Sequence, residues 1–244
     1  MRNVFIWDFD GIIVFTPHEL AWKIASEAYG IKGFTSEFYR KYVSGRPRIE
    51  GGKNILEKLG YFNGKKLSDK EKEEEIEKFT DFKNKVFREL VEKGVFEVKE
   101  KGVFEVNWAA ISFIIKAKEH GIFQILASAS RNVHIIADRV VVKGYGKLAE
   151  LFDADVSGSG STKDEVFEKA VDVARRKCVK TQCIVVFEDS PSGIIAAKKL
   201  GLKTVGYRDQ TLRKYGADYV IHDFSKTTPL HVLKELGCYF EANI

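Results

Sequence analysis

The chain has 244 residues, of which 44% are hydrophobic and 31% charged, with a formal net charge of +5 at pH 7. That length suits one large α/β domain, or a core domain that carries a smaller insertion. The basic residues are scattered rather than gathered into a stripe, which argues against a dedicated nucleic-acid-binding protein. Asp8 interrupts the apolar N-terminal stretch and no small-residue cleavage site follows, so we expect a cytoplasmic protein without a signal peptide or membrane span.

The three cysteines are Cys178, Cys183 and Cys238. They form no CxxC pair, and thiolate and imidazole ligands at zinc-binding spacings are missing. A secreted chain of this size would carry an even set of disulfide-forming cysteines. We therefore expect Cys178 and Cys183 to be reduced thiols.

Short apolar runs of strand length recur along the chain, and helix-like segments separate them. The predicted strands lie at 4–7, 123–128, 152–157, 183–188, 203–207 and 218–222, and the predicted helices at 108–121, 131–142, 163–177 and 191–201. Several of the strands are continuously apolar, which is typical of parallel strands covered by helices on both faces. The alternation predicts an α/β fold with a doubly wound parallel sheet.

Residues 16 to 92 break this alternation, because they contain helical patterns and no convincing strand. Apolar side chains at helical spacing predict one buried face of a long helix, formed by Ile76, Phe79, Val86, Phe87 and Leu90. We predict a helical domain over 16–105, inserted after the first strand of an α/β core formed by 1–15 and 106–244. The near-repeat of EKGVFEVK (92–99) as EKGVFEVN (100–107) predicts either a two-stranded ribbon or a local duplication without function.

Polar side chains follow four of the core segments. They are Asp8, Asp10 and Gly11; Ser128, Ser130, Arg131 and Asn132; Lys163 at the end of SGSGSTK; and Glu188, Asp189 and Ser190. Ligands of open parallel sheets bind beyond the carboxyl ends of the strands, so these groups should lie at one edge. Each alone is explained by a turn or a helix cap. Together, however, the acids would repel one another without a cation, and oxygen ligands favour Mg²⁺. Hydroxyls, helix-start N–H groups and an ammonium suit a phosphate.

Four of these segments resemble the motifs of the haloacid dehalogenase superfamily. They are DFDG at 8–11, LASAS at 126–130, Lys163 and FEDSPSGIIAAKKLG at 187–201. The resemblance covers nearly the whole core, the insertion matches the family's helical cap, and the chain is most similar to the β-phosphoglucomutase-like phosphatases. It implies a Mg²⁺-dependent phosphatase of a small phosphorylated metabolite, a sugar phosphate, that works through an aspartyl-phosphate. It makes no prediction of the oligomeric state.

The resemblance also implies a role for each motif residue. Asp8 would attack phosphorus, and Asp10 would protonate the leaving oxygen. The side chains of Asp8, Glu188 and Asp189 and the backbone carbonyl of Asp10 would bind Mg²⁺. Ser128 and Lys163 would bind phosphoryl oxygens and neutralise charge in the transition state.

Substrate binding is expected from the neighbours of these residues and from the cap. Gly11, Ala129 and Ser130 would line the site, and Arg48, in YVSGRPRIEGGKNIL at 42–56, would hold a distal phosphate or sugar group. Arg46 is a weaker candidate, and both arginines could instead be solvated. If the reaction involves a second phosphate, Arg131 and Asn132 could bind it.

The sequence raises four alternatives to a phosphatase. A β-phosphoglucomutase-type mutase fits LASASRN and Arg48, whereas the retained Asp10 argues against a true dehalogenase. A non-catalytic phosphate-binding module would be expected to lose Asp8, Asp10 or Lys163, and a phosphonate-cleaving enzyme would need a cap lysine such as Lys53. The chain departs from the family pattern at Phe15, where Asp is common, and by the DEVF that follows Lys163.

Overall fold

The computed structural model describes residues 2–96, 105–177 and 181–238. It divides into two compact units, the first formed by Met1–Phe15 and Val106–Ile244 and the second by Thr16–Glu105. Their assignment as a catalytic core and a cap is a proposal. Half of the repeat at 92–107, residues 97–104, lies outside the described residues.

The regular elements follow in chain order. The strands are β1 (Arg2–Trp7), β2 (Val14–Phe15), β3 (Glu105–Val106), β4 (Phe123–Leu126), β5 (Val141–Val142), β6 (Gly146–Lys147), β7 (Ala154–Asp155), β8 (Thr181–Glu188), β9 (Lys203–Tyr207) and β10 (Tyr219–Ile221). The helices are α1 (His18–Ala28), α2 (Ser36–Tyr42), α3 (Arg48–Lys58), α4 (Asp69–Phe96), α5 (Trp108–Glu119), α6 (Val133–Ala137), α7 (Lys163–Lys177), α8 (Pro191–Lys199) and α9 (Pro229–Glu235). Short 3₁₀ helices lie at Leu148–Leu151, Gln210–Tyr215 and Phe224–Lys226.

A six-stranded parallel sheet organises the first unit, in the order β10-β9-β8-β1-β4-β7. Strands β2 and β3 form a separate two-stranded sheet, and β5 and β6 form an antiparallel one. The later strands lie on both sides of β1, with β4 and β7 on one side and β8, β9 and β10 on the other, as in doubly wound folds. The predicted α/β fold class is confirmed.

Strand β1 is continuously apolar because it is covered on both faces and paired on both edges. Val4 and Ile6 lie in a cluster with apolar side chains of α7 and α8. On the opposite face Trp7 stacks on Phe187, with ring centroids 4.0 Å apart, and contacts Phe113 of α5. The burial of these apolar and aromatic side chains stabilises the centre of the sheet. It also fixes where β1 ends, and therefore where Asp8 emerges.

Two predicted elements are shorter than expected. The helix predicted over 131–142 ends at Ala137, and Val141–Val142 form β5 instead. β-branched residues favour strands, and the positive φ of Gly144 lets the chain turn back into β6. The strand predicted over 152–157 is reduced to Ala154–Asp155.

Every regular element between Thr16 and Phe96 is helical. The core of this unit contains Trp22, Ile55 and Leu56 together with Ile76 and Phe79 of α4. The apolar face predicted for the long helix is thus buried in part within its own unit. Among the described residues, no helix has the length and apolar character needed to cross a membrane.

The prediction that Cys183 is a reduced thiol is wrong. Cys183 in β8 is disulfide-bonded to Cys238, with the two Cα atoms 5.7 Å apart. Gln182 Nε2 also donates to the Cys238 carbonyl oxygen, at 2.9 Å. The pairing depends on α9 returning the chain to β8, which the cysteine spacing does not reveal. Cys178 lies outside the described residues.

We predict that reducing this disulfide, or substituting Cys183→Ser, lowers the free energy of unfolding by about 2–4 kcal/mol. The bond spans 55 residues, so breaking it restores chain entropy to the unfolded state. Denaturant unfolding with and without reductant measures the change. Cys178→Ser is the control, and an equal loss in that variant would contradict the prediction.

Candidate active site

Three acids come together because two neighbouring strands end at the same level. Strands β1 and β8 pair in a register that sets Trp7 opposite Phe187. The Asp8 N–H then donates to the Phe187 carbonyl at 3.0 Å, which fixes the first residue beyond β1. Glu188 and Asp189 follow Phe187 directly. The predicted carboxylates therefore meet at one edge of the sheet.

Lys163 is buried between two of these acids. Its Nζ lies 2.6 Å from Asp8 Oδ1 and 2.9 Å from Glu188 Oε2. The lysine opens α7, whose apolar residues Val166 and Phe167 are fully buried against the sheet. The helix thus delivers the ammonium to the sheet edge rather than to solvent, and the side chain is only 8% exposed.

Ser190 orients Glu188 and also caps the following helix. Both its hydroxyl and its N–H donate to Glu188 Oε1, at 2.7 and 3.2 Å. The same hydroxyl accepts from the Gly193 N–H at 3.2 Å, with Pro191 in the first turn of α8. The same hydroxyl therefore caps α8 and fixes the position of the buried Glu188 carboxylate.

Two glycines allow the backbone to approach these acids closely. Gly11 has φ +83°, and a Cβ built there would overlap the Asp189 carboxylate. A Cβ at Gly193 would overlap the carboxyl group of Glu188. The site is thus closed on two sides by main chain that admits no side chain.

The residues of the cluster fit a hard divalent cation. Asp8, Glu188 and Asp189 each offer a carboxylate oxygen within 4.8 Å of the others. Oxygen ligands of this kind suit Mg²⁺. One ammonium cannot balance three carboxylates, so the cluster is short of positive charge. A cation there would supply it.

The pKa values reflect this shortage. Burial and the neighbouring Glu188 raise the pKa of Asp8 to about 7, although Lys163 opposes the shift. Burial and Glu188 also raise the pKa of Asp189. Burial disfavours the charged form of Lys163, but Asp8 and Glu188 outweigh it and raise the lysine's pKa. The lysine therefore stays charged, while Asp8 and Asp189 hold protons more readily than usual.

The second predicted segment lies at the end of β4, beside β1. The Ala127 N–H donates to the Trp7 carbonyl at 2.8 Å, so the segment that follows starts level with Asp8. Ser128 is buried, and its hydroxyl accepts from the Ser130 N–H at 3.2 Å. The Ser130 hydroxyl in turn accepts from the Asn132 N–H at 3.2 Å.

The other residues predicted to line the site differ in exposure. Ala129 and Ser130 are half-buried, Arg131 is exposed and Asn132 is buried. Asp10 and Gly11 are half-buried in the turn that follows β1, where Asp10 forms a backbone bridge with Val14. The structure thus places these residues at the carboxyl ends of β1 and β4.

The predicted cap residues belong to the second unit. Arg48 opens α3, and its Nη2 lies 3.2 Å from Asp81 Oδ1. Arg46 forms an ion pair with Glu50. Their roles toward a substrate are proposals.

Lys83 and Asn107 are among the buried polar residues that were not predicted from the sequence. Lys83 is 3% exposed, with Nζ 2.9 Å from His18 Nδ1. Its signal was its place four residues from both Phe79 and Phe87, on the buried stripe of α4. Asn107 caps α5 from a buried position, and its signal was a polar residue between a strand and a helix.

A family model described as haloacid dehalogenase-like hydrolase matches residues 3–201. The chain belongs to this family. The resemblance seen in the four sequence motifs is thereby confirmed. No curated protein matches the chain significantly.

Solved structures of haloacid dehalogenase-like proteins resemble the chain over nearly its whole length. An archaeal β-phosphoglucomutase from the hyperthermophilic Pyrococcus sp. strain ST04 is 41% identical, with a TM-score of 0.79, over 97% of this chain and 99% of that chain. A β-phosphoglucomutase from Clostridium difficile is 22% identical, with a TM-score of 0.73, over 97% and 98% of the two chains. CbbY from Rhodobacter sphaeroides, solved with xylulose-(1,5)bisphosphate, is 21% identical, with a TM-score of 0.65, over 93% and 96%. The last two show the shared fold.

We predict that Gly193→Ala lowers both the apparent affinity for Mg²⁺ and the activity by about tenfold or more. The reason is that the new methyl group displaces the Glu188 carboxylate. Activity measured against Mg²⁺ concentration tests this. Gly201→Ala at the other end of α8 is the matched control, since Gly201 has φ +70° and no neighbour within 4 Å. An equal effect of both substitutions would show general destabilisation instead.

We also predict that the metal-free protein loses stability as the pH rises toward 7. The pKa of Asp8 is raised from its ordinary value of 3.8 to about 7 in the fold, so the folded state binds more protons between these values. The free energy of unfolding then falls with pH, by at most about 1.4 kcal/mol per unit for one group. Urea unfolding in chelator from pH 5 to 8 measures the slope. Asp8→Asn should flatten it, and an unchanged slope in that variant would contradict the assignment.

Proposed function

We propose that the chain is a Mg²⁺-dependent phosphoryl-transfer enzyme that acts on a small sugar phosphate through an aspartyl-phosphate on Asp8. One observation carries the proposal, the buried Lys163 ammonium between Asp8 and Glu188 with Asp189 alongside. A purely structural acid at the end of a strand would need neither a buried lysine nor two further acids. The same groups together suit a phosphoryl group bound beside a cation.

In the first half-reaction an Asp8 carboxylate oxygen attacks phosphorus. A P–O bond forms to Asp8, the P–O bond to the sugar breaks, and Asp10 gives a proton to the leaving sugar oxygen. Asp10 lies two residues beyond the nucleophile, directly before the Gly11–Ile13 turn. Its position lets one side chain act on phosphorus while the other acts on the ester oxygen.

The second half-reaction reverses these roles. An acceptor hydroxyl loses its proton to Asp10 and attacks phosphorus, and the acyl-phosphate bond to Asp8 breaks. With water as the acceptor the products are inorganic phosphate and the sugar. This is the hydrolase reaction that the sequence motifs predict.

The remaining groups act through charge. Lys163 and Ser128 would bind phosphoryl oxygens, and a buried ammonium stabilises developing negative charge more strongly than an exposed one. Asp8, Glu188 and Asp189, with the Asp10 carbonyl, would hold Mg²⁺. When bound, the ion would neutralise the acids and polarise the phosphoryl group.

A phosphosugar mutase is the second candidate, and one observation favours it. The structure of a protein described as an archaeal β-phosphoglucomutase is 41% identical over 97% of this chain. In a mutase the acceptor is a second hydroxyl of a sugar phosphate, so the site must hold a distal phosphate. Arg48, Arg131 and Asn132 are our candidates for that contact.

The test is phosphate release from a panel of sugar phosphates and from p-nitrophenyl phosphate. We expect release with Mg²⁺, none in chelator, and a loss of about 100-fold or more in Asp8→Asn, which removes the nucleophile. Asp138→Asn, at an exposed position of the same unit, is the matched control and should retain activity. Retained activity in Asp8→Asn would rule out the covalent route.

The acceptor is identified separately by phosphorus NMR. Inorganic phosphate as the main product establishes the hydrolase. Interconversion of glucose 1-phosphate and glucose 6-phosphate without net phosphate release establishes the mutase. Absence of both reactions across the panel would contradict the proposed function.

A further inference from the structure

Asn107 uses every polar atom of its side chain, and two of its bonds reach the segment that follows the nucleophile. Its Nδ2 donates to the Ile12 carbonyl at 2.8 Å, and its backbone N–H donates to the Ile13 carbonyl at 2.9 Å. Its Oδ1 accepts from the Ala110 N–H at 3.2 Å and so caps α5. Asn107 is 7% exposed, so these bonds are shielded from water.

Asp10 lies directly before the turn that receives these bonds. Gly11 N–H donates to the Val14 carbonyl at 2.8 Å, and the N–H groups of Ile13 and Val14 both donate to the Phe9 carbonyl, at 2.9 and 3.1 Å. Three of its N–H groups are thereby satisfied by nearby main chain. The carbonyls of its two central residues, in contrast, are held by Asn107.

The end of β9 completes the arrangement. Tyr207 Oη lies 2.9 Å from Asn107 Nδ2, and the tyrosine ring packs on Phe224 with centroids 4.9 Å apart. The next residue, Arg208, has φ +62° and places its guanidinium 4.6 Å from the centroid of the Phe15 ring. A positive φ is unfavourable for arginine and persists only where its surroundings fix it. Tyr207, the last residue of β9, therefore contacts Asn107, near the point where the chain re-enters the first unit. The next residue, Arg208, contacts Phe15, where the chain leaves that unit.

A helix cap alone does not require an amide. Ser, Thr or Asp would accept the Ala110 N–H equally well. An amide is needed because the same side chain must also donate to the Ile12 carbonyl. Asn is the smallest side chain that both accepts and donates two bonds in this way.

We propose that Asn107 is a positioning residue, which holds the Gly11–Ile13 turn and with it Asp10 in the geometry for proton transfer to the leaving oxygen. The proposal rests on the proposed function of Asp10. Asn107 would touch neither phosphorus nor substrate. It acts through the two carbonyls that it binds.

Asn107→Asp tests this with little change in shape. Asp keeps the cap and the backbone N–H but loses both side-chain donations, and it sets an acceptor against the Ile12 carbonyl. We expect the first-turnover rate of leaving-group release from the sugar phosphate to fall about 10- to 100-fold. The first-turnover rate of p-nitrophenolate release should fall less than about threefold, because this leaving group departs without a proton and the later step, in which Asp10 acts as a base, does not contribute. Tyr207→Phe should shift the ratio in the same direction by a smaller factor.

Thr228→Ala is the matched control. The Thr228 Oγ1 accepts from the His231 N–H at 3.2 Å and caps α9, so this substitution removes a helix cap without touching the turn. It should lower stability and leave the ratio of the two rates unchanged. Equal losses in the first-turnover rates of both substrates in Asn107→Asp would overturn the proposal and leave only a structural cap.

Amide hydrogen exchange provides a readout that does not depend on activity. In Asn107→Asp we expect faster exchange at Gly11, Ile13 and Val14, whereas Thr228→Ala should leave these amides unchanged. Exchange as slow as in the wild type would overturn the positioning role even if the enzyme is active. The proposed function fails by a different result, activity retained in Asp8→Asn.

Discussion

The buried Lys163 ammonium is the group on which the arrangement of the site depends. It pairs with Asp8 at the end of β1 and Glu188 of β8, and so joins side chains that are far apart in the sequence. A buried ion pair adds little net stability, because desolvation offsets the attraction. Removing one partner is costly, however, since it leaves an uncompensated charge in the interior. The presence of the buried lysine is therefore better explained by a role in binding or catalysis at this edge of the sheet than by a contribution to the stability of the fold.

The rest of the first unit serves to bring short polar segments to that edge. β1 is anchored on both faces by apolar and aromatic side chains, and its neighbours end level with it. Helix caps then place the polar atoms, as Ser190 does for Glu188 and Asn107 does for the turn after Asp8. Regular secondary structure fixes these positions to within the reach of a hydrogen bond.

The parallel sheet and the strand-end acids could be predicted because both follow from local patterns. Continuous apolar runs indicate buried parallel strands, and strand ends in such sheets share one edge. The Cys183–Cys238 bond and the contacts of Asn107 could not, since each joins segments far apart in the chain. The prediction of a helix over 131–142 was wrong beyond Ala137, because the β-branched residues that follow favour strand pairing once a turn permits it. The role of Arg48 depends on the substrate, which no local pattern specifies.

The chain leaves and re-enters the first unit at neighbouring points, since the Asn107 N–H bonds directly to the Ile13 carbonyl. An insertion whose two ends are a hydrogen bond apart places no demand on the sheet that carries it. Residues 16–105 can therefore be regarded as an exchangeable cassette. A different insertion could be grafted between the same two points without moving Asp8 or Lys163. Under the proposed function, such a replacement would change the segment that carries Arg48, while Asp8 and Lys163 stay where the sheet of the first unit places them.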